Sequence, residues 1–115
     1  MKIAIIVREE TLQNCTGKGC FKAFFKRKDS FEQYDEHAEI IVFTHEGGNF
    51  EKKIERMIQE EIDVVHLSTC LRGKSDQYEV LAKQLSRHFD VVGYTHGSRE
   101  GKKGNTVNFQ NQQKL

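Results

Sequence analysis

Four short apolar runs, each followed by polar or glycine-containing chain, constrain the fold of this sequence more than any other feature. They lie at Lys2–Val7, Glu39–Phe43, Asp63–Leu67 and Asp90–Tyr94. A strand that is covered on both faces reads as a nearly unbroken apolar run. The four runs therefore predict buried strands of a parallel sheet.

Helical periodicity fills the intervals between these predicted strands. The apolar stripes comprise Phe21, Phe24 and Phe25; Phe50, Ile54, Met57 and Ile58; and Tyr78, Leu81 and Leu85. Their i, i+3, i+4 type of spacing is typical of amphipathic helices. The resulting order β-α-β-α-β-α-β requires right-handed crossovers. It predicts an α/β three-layer sandwich with a four-stranded parallel sheet in the flavodoxin-like order 2-1-3-4.

Two of the predicted helices carry signals at their starts. Asn49 stands just before the helix that begins near Phe50, and asparagine is a good N-cap residue. Asp76 and Glu79 have capping-box spacing before the last helix.

The chain divides by composition into a domain and an extension. Residues 1–96 hold all the predicted strands and helices and form one α/β domain. Residues 97–115 are rich in Gly, Asn, Gln and Lys, and this composition indicates a polar C-terminal tail or a loosely docked extension. The segment Val107–Phe109 is a candidate for an additional edge strand.

Charge and hydropathy exclude several classes of partner. The 115 residues include 18 basic and 17 acidic side chains, which leaves a net charge of +1 and argues against nucleic-acid or membrane-surface binding. No apolar stretch reaches the roughly 20 residues that a membrane span needs. Met1–Val7 runs directly into charged residues and is too short for a signal peptide. We expect a cytoplasmic protein, in which the three cysteines stay reduced.

Thiol and imidazole side chains follow the ends of the predicted strands. Cys15 and Cys20 come after the first, His45 with Glu46 after the second, Cys70 after the third and His96 after the fourth. Ligands of open parallel sheets bind at the carboxyl ends of the strands. Sulfur and nitrogen ligands collected at that edge indicate a metal or thiol site.

Several segments together resemble one family. They are Met1-Lys2-Ile3-Ala4-Ile5-Ile6, the stretch Cys15-Thr16-Gly17-Lys18-Gly19-Cys20-Phe21-Lys22-Ala23-Phe24, the Gly-Gly turn after the second strand, Val65-His66-Leu67-Ser68-Thr69-Cys70, and Gly93-Tyr94-Thr95-His96. In this order and spacing the chain resembles the CGGC-domain proteins over residues 1–96. That family is a small cysteine-rich α/β domain expected to bind metal.

The chain departs from the family at its name-giving motif. Where the family carries Cys-Gly-Gly-Cys, this sequence reads Glu46-Gly47-Gly48-Asn49. The resemblance implies that Cys15, Cys20, Cys70 and His96 occupy family positions that remain. Glu46 is available as an oxygen ligand in place of one lost thiolate, or the site has decayed with only its turn retained.

The leading hypothesis is a metal-binding module. Cys15, Cys20, Cys70 and His96 would hold zinc or iron, with His45 or Glu46 nearby, because Cys3His is a known closed zinc set. The sequence assigns no reaction to such a site.

Two alternatives stay open. One is a cysteine-dependent redox or thiol enzyme, in which His96 activates a thiolate. The other is a module that binds a small anion such as phosphate beside a decayed metal site. A phosphatase-type Cys-x5-Arg loop is disfavoured, because Asp76 and Phe21 stand where arginine would be required.

His66 lies inside a predicted strand and is interpreted as a core histidine.

Overall fold

The computed structural model describes residues 1–114. Its strands are β1 (Lys2–Val7), β2 (Glu39–His45), β3 (Val64–Leu67), β4 (Asp90–Val92) and β5 (Asn108–Phe109). Its helices are α1 (Lys18–Phe25), α2 (Phe50–Gln59), α3 (Thr69–Lys74) and α4 (Tyr78–Ser86). Short 3-10 turns occupy Thr11–Gln13, Asp29–Phe31 and Gln112–Lys114.

The strands form one sheet in the order β2-β1-β3-β4-β5. The first four are parallel and keep the predicted order 2-1-3-4. The prediction of a four-stranded sheet is wrong in one respect, because β5 adds an antiparallel edge strand beside β4, with Val91 opposite Phe109. This strand falls within Val107–Phe109, the segment predicted as a candidate edge strand, and Phe109 packs against the core cluster that contains residues of α2 and α4.

Core side chains pack on both faces of the sheet, which makes the molecule a three-layer sandwich. On β1, Ala4 and Ile6 face the cluster that contains residues of α2 and α4. Ile3 and Ile5 face the opposite cluster, which contains residues of α1. The strand is buried on both faces, and this explains why its sequence is continuously apolar.

The starts of the helices follow the sequence signals unevenly. Asn49 caps α2 as predicted, because its Oδ1 accepts a hydrogen bond from the Lys52 amide at 3.1 Å. The capping box predicted at Asp76 is wrong, since Gln77 is the N-cap of α4 and makes no side-chain capping bond. The short helix α3 has no counterpart among the predicted helices.

His66 is a core histidine, as its position inside β3 predicted. It is fully buried, and its Nδ1 lies 3.1 Å from the Tyr94 carbonyl oxygen, which can only accept. Nδ1 therefore carries the proton, and Nε2 accepts a hydrogen bond from the Tyr34 hydroxyl at 2.7 Å. Burial lowers the pKa of His66 to about 4, partly offset by the bond to the Tyr94 backbone.

The segment after residue 96 packs along one side of the domain. The Tyr78 hydroxyl accepts a hydrogen bond from the Val107 amide at 3.1 Å and donates one to the Gly93 carbonyl at 2.7 Å. The Asn108 side chain accepts a hydrogen bond from the Gly93 amide at 3.0 Å. These bonds tie the extension to β4 and to α4.

No helix in the part of the chain that the structure describes is long and apolar enough to cross a membrane.

Candidate functional site

A cavity of about 530 Å³ opens where β1, β3 and β4 end. Four of the predicted site residues line it: Cys15, Cys20, Cys70 and His96. Segments that are far apart in sequence supply them, because parallel strands deliver their carboxyl ends to one edge of the sheet. These four residues lie at the edge of the sheet where the sequence predicted them.

Cys20 is the most buried of the three thiols. It lies in α1 with 7% of its surface exposed, and its Sγ is 3.2 Å from Oγ1 of Thr95. Burial raises the pKa of the Cys20 thiol above its usual value, the contact with Thr95 lowers it, and the nearby Cys70 and Cys15 raise it. Cys20 is therefore protonated at neutral pH, and a metal or an electrophile would have to displace that proton.

Cys70 occupies the first turn of α3 and is half-buried. Its Sγ lies 2.8 Å from the Ser68 hydroxyl, and the same hydroxyl accepts a hydrogen bond from the Leu71 amide. The Ser68 oxygen is thus engaged in capping the helix and in contacting the thiol. It is not a free group for an anion.

Cys15 lies on the loop between the first 3-10 turn and α1 and is exposed. Its sulfur accepts a hydrogen bond from the Gly17 amide at 3.3 Å. Gly17 adopts φ +85, the left-handed conformation that glycine enters without strain, and the chain turns there into α1. Cys15 is the one cysteine of the three that lies outside the helices.

His96 packs against the start of α1. A Cβ atom built on Gly19 would lie 2.9 Å from His96 Nε2, so the ring rests on the helix backbone at the place where a side chain is missing. Burial lowers the pKa of His96; Asp29 opposes this shift, while Arg72 and Lys28 reinforce it. His96 is consequently neutral at pH 7, which is the form that binds metals.

His45 and Glu46 lie apart from the other candidates. Neither is among the cavity-lining residues of the described chain. The Glu46 carboxylate accepts a hydrogen bond from the Glu9 amide at 2.7 Å, and His45 Nδ1 accepts one from the Gly47 amide at 3.0 Å, with Glu9 Oε2 3.3 Å away. The Gly-Gly turn is thus held by contacts within the protein.

Two residues of the site, Thr95 and Arg72, are not among the predicted site residues. Thr95, fully buried, links three elements, because its Oγ1 contacts Cys20, accepts a hydrogen bond from the Thr69 amide and lies near the Thr69 hydroxyl. Arg72 lies in α3 on the cavity wall. A polar residue after a strand and an arginine in a short helix carry no pattern that singles them out.

The donor set suits a soft or borderline ion in its chemistry, since thiolates and a neutral imidazole bind zinc and iron. The positions of these side chains are less suitable for a metal ion than their chemistry. Within residues 1–114 no group of three His, Cys, Asp or Glu side chains is placed so as to hold one metal ion. Binding by this set would require at least one ligand to move.

The fold and the cavity define a small α/β protein with a thiol-lined cavity at the carboxyl edge of its parallel sheet. The model of the CGGC domain matches residues 2–96, so the chain belongs to the CGGC domain family. The chain has no match among the curated proteins or the solved structures. The family match ends at His96, just before the extension begins.

Proposed function

We propose that the protein binds a metal ion, zinc or iron, in this cavity through the thiolates of Cys15, Cys20 and Cys70 and the imidazole of His96. The observation that carries the proposal is the convergence of all three cysteines and of His96 on one cavity. Membership of a family rich in cysteines supports it. His45 and Glu46, on the neighbouring turn, would contribute only if that turn rearranges.

The exposed loop that carries Cys15 offers the movement such a site requires. Cys20 and Cys70 lie in helices, whereas Cys15 precedes α1 on a loop. Its sulfur makes one hydrogen bond, and its backbone amide donates one to the Thr11 carbonyl at 2.9 Å. Closure of this loop would bring a third sulfur toward the other two. Because the thiol of Cys20 has a raised pKa, metal uptake should weaken as the pH falls.

The test is metal content by plasma mass spectrometry of untagged protein purified without oxygen, with a parallel count of free thiols. We expect near-stoichiometric zinc or iron and protected thiols. Cys70→Ser should abolish the bound metal while the sheet stays folded. Cys15→Ser and His96→Ala should each reduce it.

His37→Ala is the matched control, because His37 lies on an exposed loop away from the cavity. It should leave the metal content unchanged. Full metal content in Cys70→Ser, Cys15→Ser and His96→Ala together would show that the assigned ligands are wrong. Protein without metal and with three freely reactive thiols would reject the proposal.

A second candidate function is thiol chemistry on a small molecule. The cavity volume of about 530 Å³ favours it, since this lies in the range of small-molecule sites and far exceeds what a single ion needs. Cys70 would be the reacting thiol. Alkylation of Cys70 that is faster in folded, metal-free protein than in urea-unfolded protein would support this function, and equal or slower alkylation in the folded protein would count against it.

We also propose that the protein works in the cytoplasm, where its three free cysteines would stay reduced. Its partner would then be a metal ion or a small anion. The near balance of charges gives no support to a nucleic-acid partner.

A further inference from the structure

Cationic side chains are concentrated on one wall of the thiol-lined cavity. The residues that line it include Arg72, Lys74, Lys102 and Lys103 and, in the described chain, no aspartate or glutamate. None of these four forms an ion pair with a carboxylate among residues 1–114. For a protein of net charge +1, this is an uneven distribution that favours an anion inside the cavity.

Arg72 is the buried member of this set. It is 5% exposed, and its Nη1 donates hydrogen bonds to the carbonyl oxygens of Ser98 and Arg99 at 2.9 and 3.2 Å and to the Thr106 hydroxyl at 3.0 Å. All these acceptors are neutral. The Arg72 Cζ also lies 5.1 Å from the centre of the Tyr94 ring, a cation–π contact with another neutral group. A buried guanidinium is ordinarily paired with a carboxylate or a phosphate, and no such anionic group contacts Arg72 among residues 1–114.

The segment 98–106, which we call the strap, forms this wall together with α3. Asn105 Nδ2 donates a hydrogen bond to the Arg72 carbonyl at 3.0 Å, which closes the strap onto the helix. A Cβ atom on Gly101 would lie 2.8 Å from Arg72 Cζ, so the absence of a side chain there lets the strap pack on the guanidinium. The strap also carries Lys102 and Lys103 to the cavity.

We propose that the cavity binds a small organic anion, a carboxylate or a phosphate ester with an apolar body, and that Arg72 and the strap are its specificity-determining wall. The anionic group would face Arg72, Lys102 and Lys103. The apolar body would lie along the side formed by Val7, Leu12 and the cysteines. This site uses the cavity of the proposed function but does not depend on a bound metal.

Two alkylating probes that differ in charge test whether the wall attracts anions. Iodoacetate is anionic and iodoacetamide is neutral, and both form an Sγ–C bond while iodide leaves with the electron pair of the C–I bond and the thiol proton passes to solvent. The quantity to measure is the rate of alkylation of Cys70 by iodoacetate divided by its rate with iodoacetamide, determined on metal-free protein by peptide mass spectrometry. We expect this ratio to be about threefold or more higher in folded protein than in urea-unfolded protein at low salt.

The double substitution Lys102→Gln with Lys103→Gln should bring this ratio toward the unfolded value. The matched control is Lys52→Gln with Lys83→Gln, which removes the same charge from α2 and α4, where these lysines pair with Glu55 and Glu79. The control should leave the ratio unchanged. An equal fall in both double variants, or a ratio at Cys70 no higher than in unfolded protein, would overturn the proposal.

Protection of Cys70 against iodoacetamide identifies the anionic group. Phenyl phosphate, benzoate and neutral benzyl alcohol carry the same ring, and we expect one of the two anions to slow alkylation while benzyl alcohol does not. Protection by phenyl phosphate assigns a phosphate ester, and protection by benzoate assigns a carboxylate. Equal protection by all three, or by none, would refute an anion site.

The strap itself is tested by a pair of glycine substitutions. Gly101→Ala would press on Arg72, whereas Gly104, which also has a positive φ of 62°, has no atom within 4 Å of its Cβ position. Gly101→Ala should weaken protection by the effective anion several-fold more than Gly104→Ala. Equal effects would rule out the strap as a wall. Since metal content is measured separately, loss of the anion site and loss of the metal site are distinguishable.

Discussion

The sulfur of Cys20 lies 3.2 Å from the hydroxyl oxygen of Thr95, and this contact joins the first helix to the segment that follows the fourth strand. Thr95 continues the connection to α3, because its hydroxyl also accepts a hydrogen bond from the Thr69 amide at 3.3 Å. The Thr69 hydroxyl in turn donates to the His96 carbonyl at 2.6 Å. Threonine hydroxyls thereby fix the relative positions of Cys20, Cys70 and His96.

Thr95→Val should raise the pKa of the Cys20 thiol further, because it removes the one side-chain contact that lowers it. At pH 8 the alkylation of Cys20 should then be slower than in the unmodified protein. The measurement is the pH dependence of alkylation at Cys20, resolved by peptide mass spectrometry. Thr44→Val is the matched control, because it makes the same change on β2 away from the cavity, and it should leave the pH profile unaltered. Near-UV circular dichroism checks that Thr95→Val keeps its tertiary structure. Faster alkylation of Cys20 in a folded Thr95→Val variant would contradict the assignment.

Acid should destabilise the fold through His66. Its folded pKa of about 4 is below the ordinary value of 6.5, so between these values the unfolded chain binds a proton that the folded chain excludes. Stability must then rise with pH across this window and be lost as the pH falls from 6.5 toward 4. The shift corresponds to roughly 3 kcal/mol in the free energy of unfolding, from about 1.4 kcal/mol per pKa unit.

Urea unfolding at pH 7 and at pH 4.5 measures this contribution. In His66→Gln the difference in stability between the two pH values should shrink, even though the variant is less stable overall. His37→Gln, which changes an exposed histidine, should keep the full difference. An unchanged difference in His66→Gln would mean that another group is responsible.

The sequence predicts the sheet well where burial dictates the pattern. Lys2–Val7 is covered on both faces, and its apolar run admits few other structures. The placement of Cys20, Cys70 and His96 at one edge follows from the parallel order alone. For this reason most of the candidate ligands are visible from strand ends.

His45 and Glu46 follow the end of β2 as predicted, but they do not line the cavity. β2 lies on the far side of β1, whereas the cavity forms beyond β1, β3 and β4. The predicted order of the parallel strands does not by itself show which strand ends share a cavity, because that depends on how the loops and helices after the strands pack. Val107–Phe109 is predicted as a candidate edge strand, but the rest of the attachment of the extension depends on single polar side chains such as Arg72 and Tyr78, which no sequence pattern marks.

Asn49→Ala should lower the free energy of unfolding by about 1 kcal/mol, because the Lys52 amide at the start of α2 loses its acceptor. Asn49→Asp should keep the cap and restore this stability. Equilibrium urea unfolding compares the variants. Equal stability of the alanine and aspartate variants would show that the cap contributes nothing.

Gly93→Ala should detach the fifth strand from the sheet. A Cβ atom at this position would overlap the Tyr78 hydroxyl, which accepts the hydrogen bond from the Val107 amide, and the Val107 carbonyl oxygen. We expect a loss of about 1–3 kcal/mol in the free energy of unfolding, as for overpacked sites. Hydrogen exchange at Phe109, which pairs with Val91, should become faster.

Gly73→Ala is the matched control, because no atom lies within 4 Å of its Cβ position, and it should leave exchange at Phe109 unchanged. Protection of Phe109 that survives in Gly93→Ala would show that the extension is held by contacts other than those at Gly93, such as the hydrogen bonds of Asn111 to Asp90 and to the His88 carbonyl.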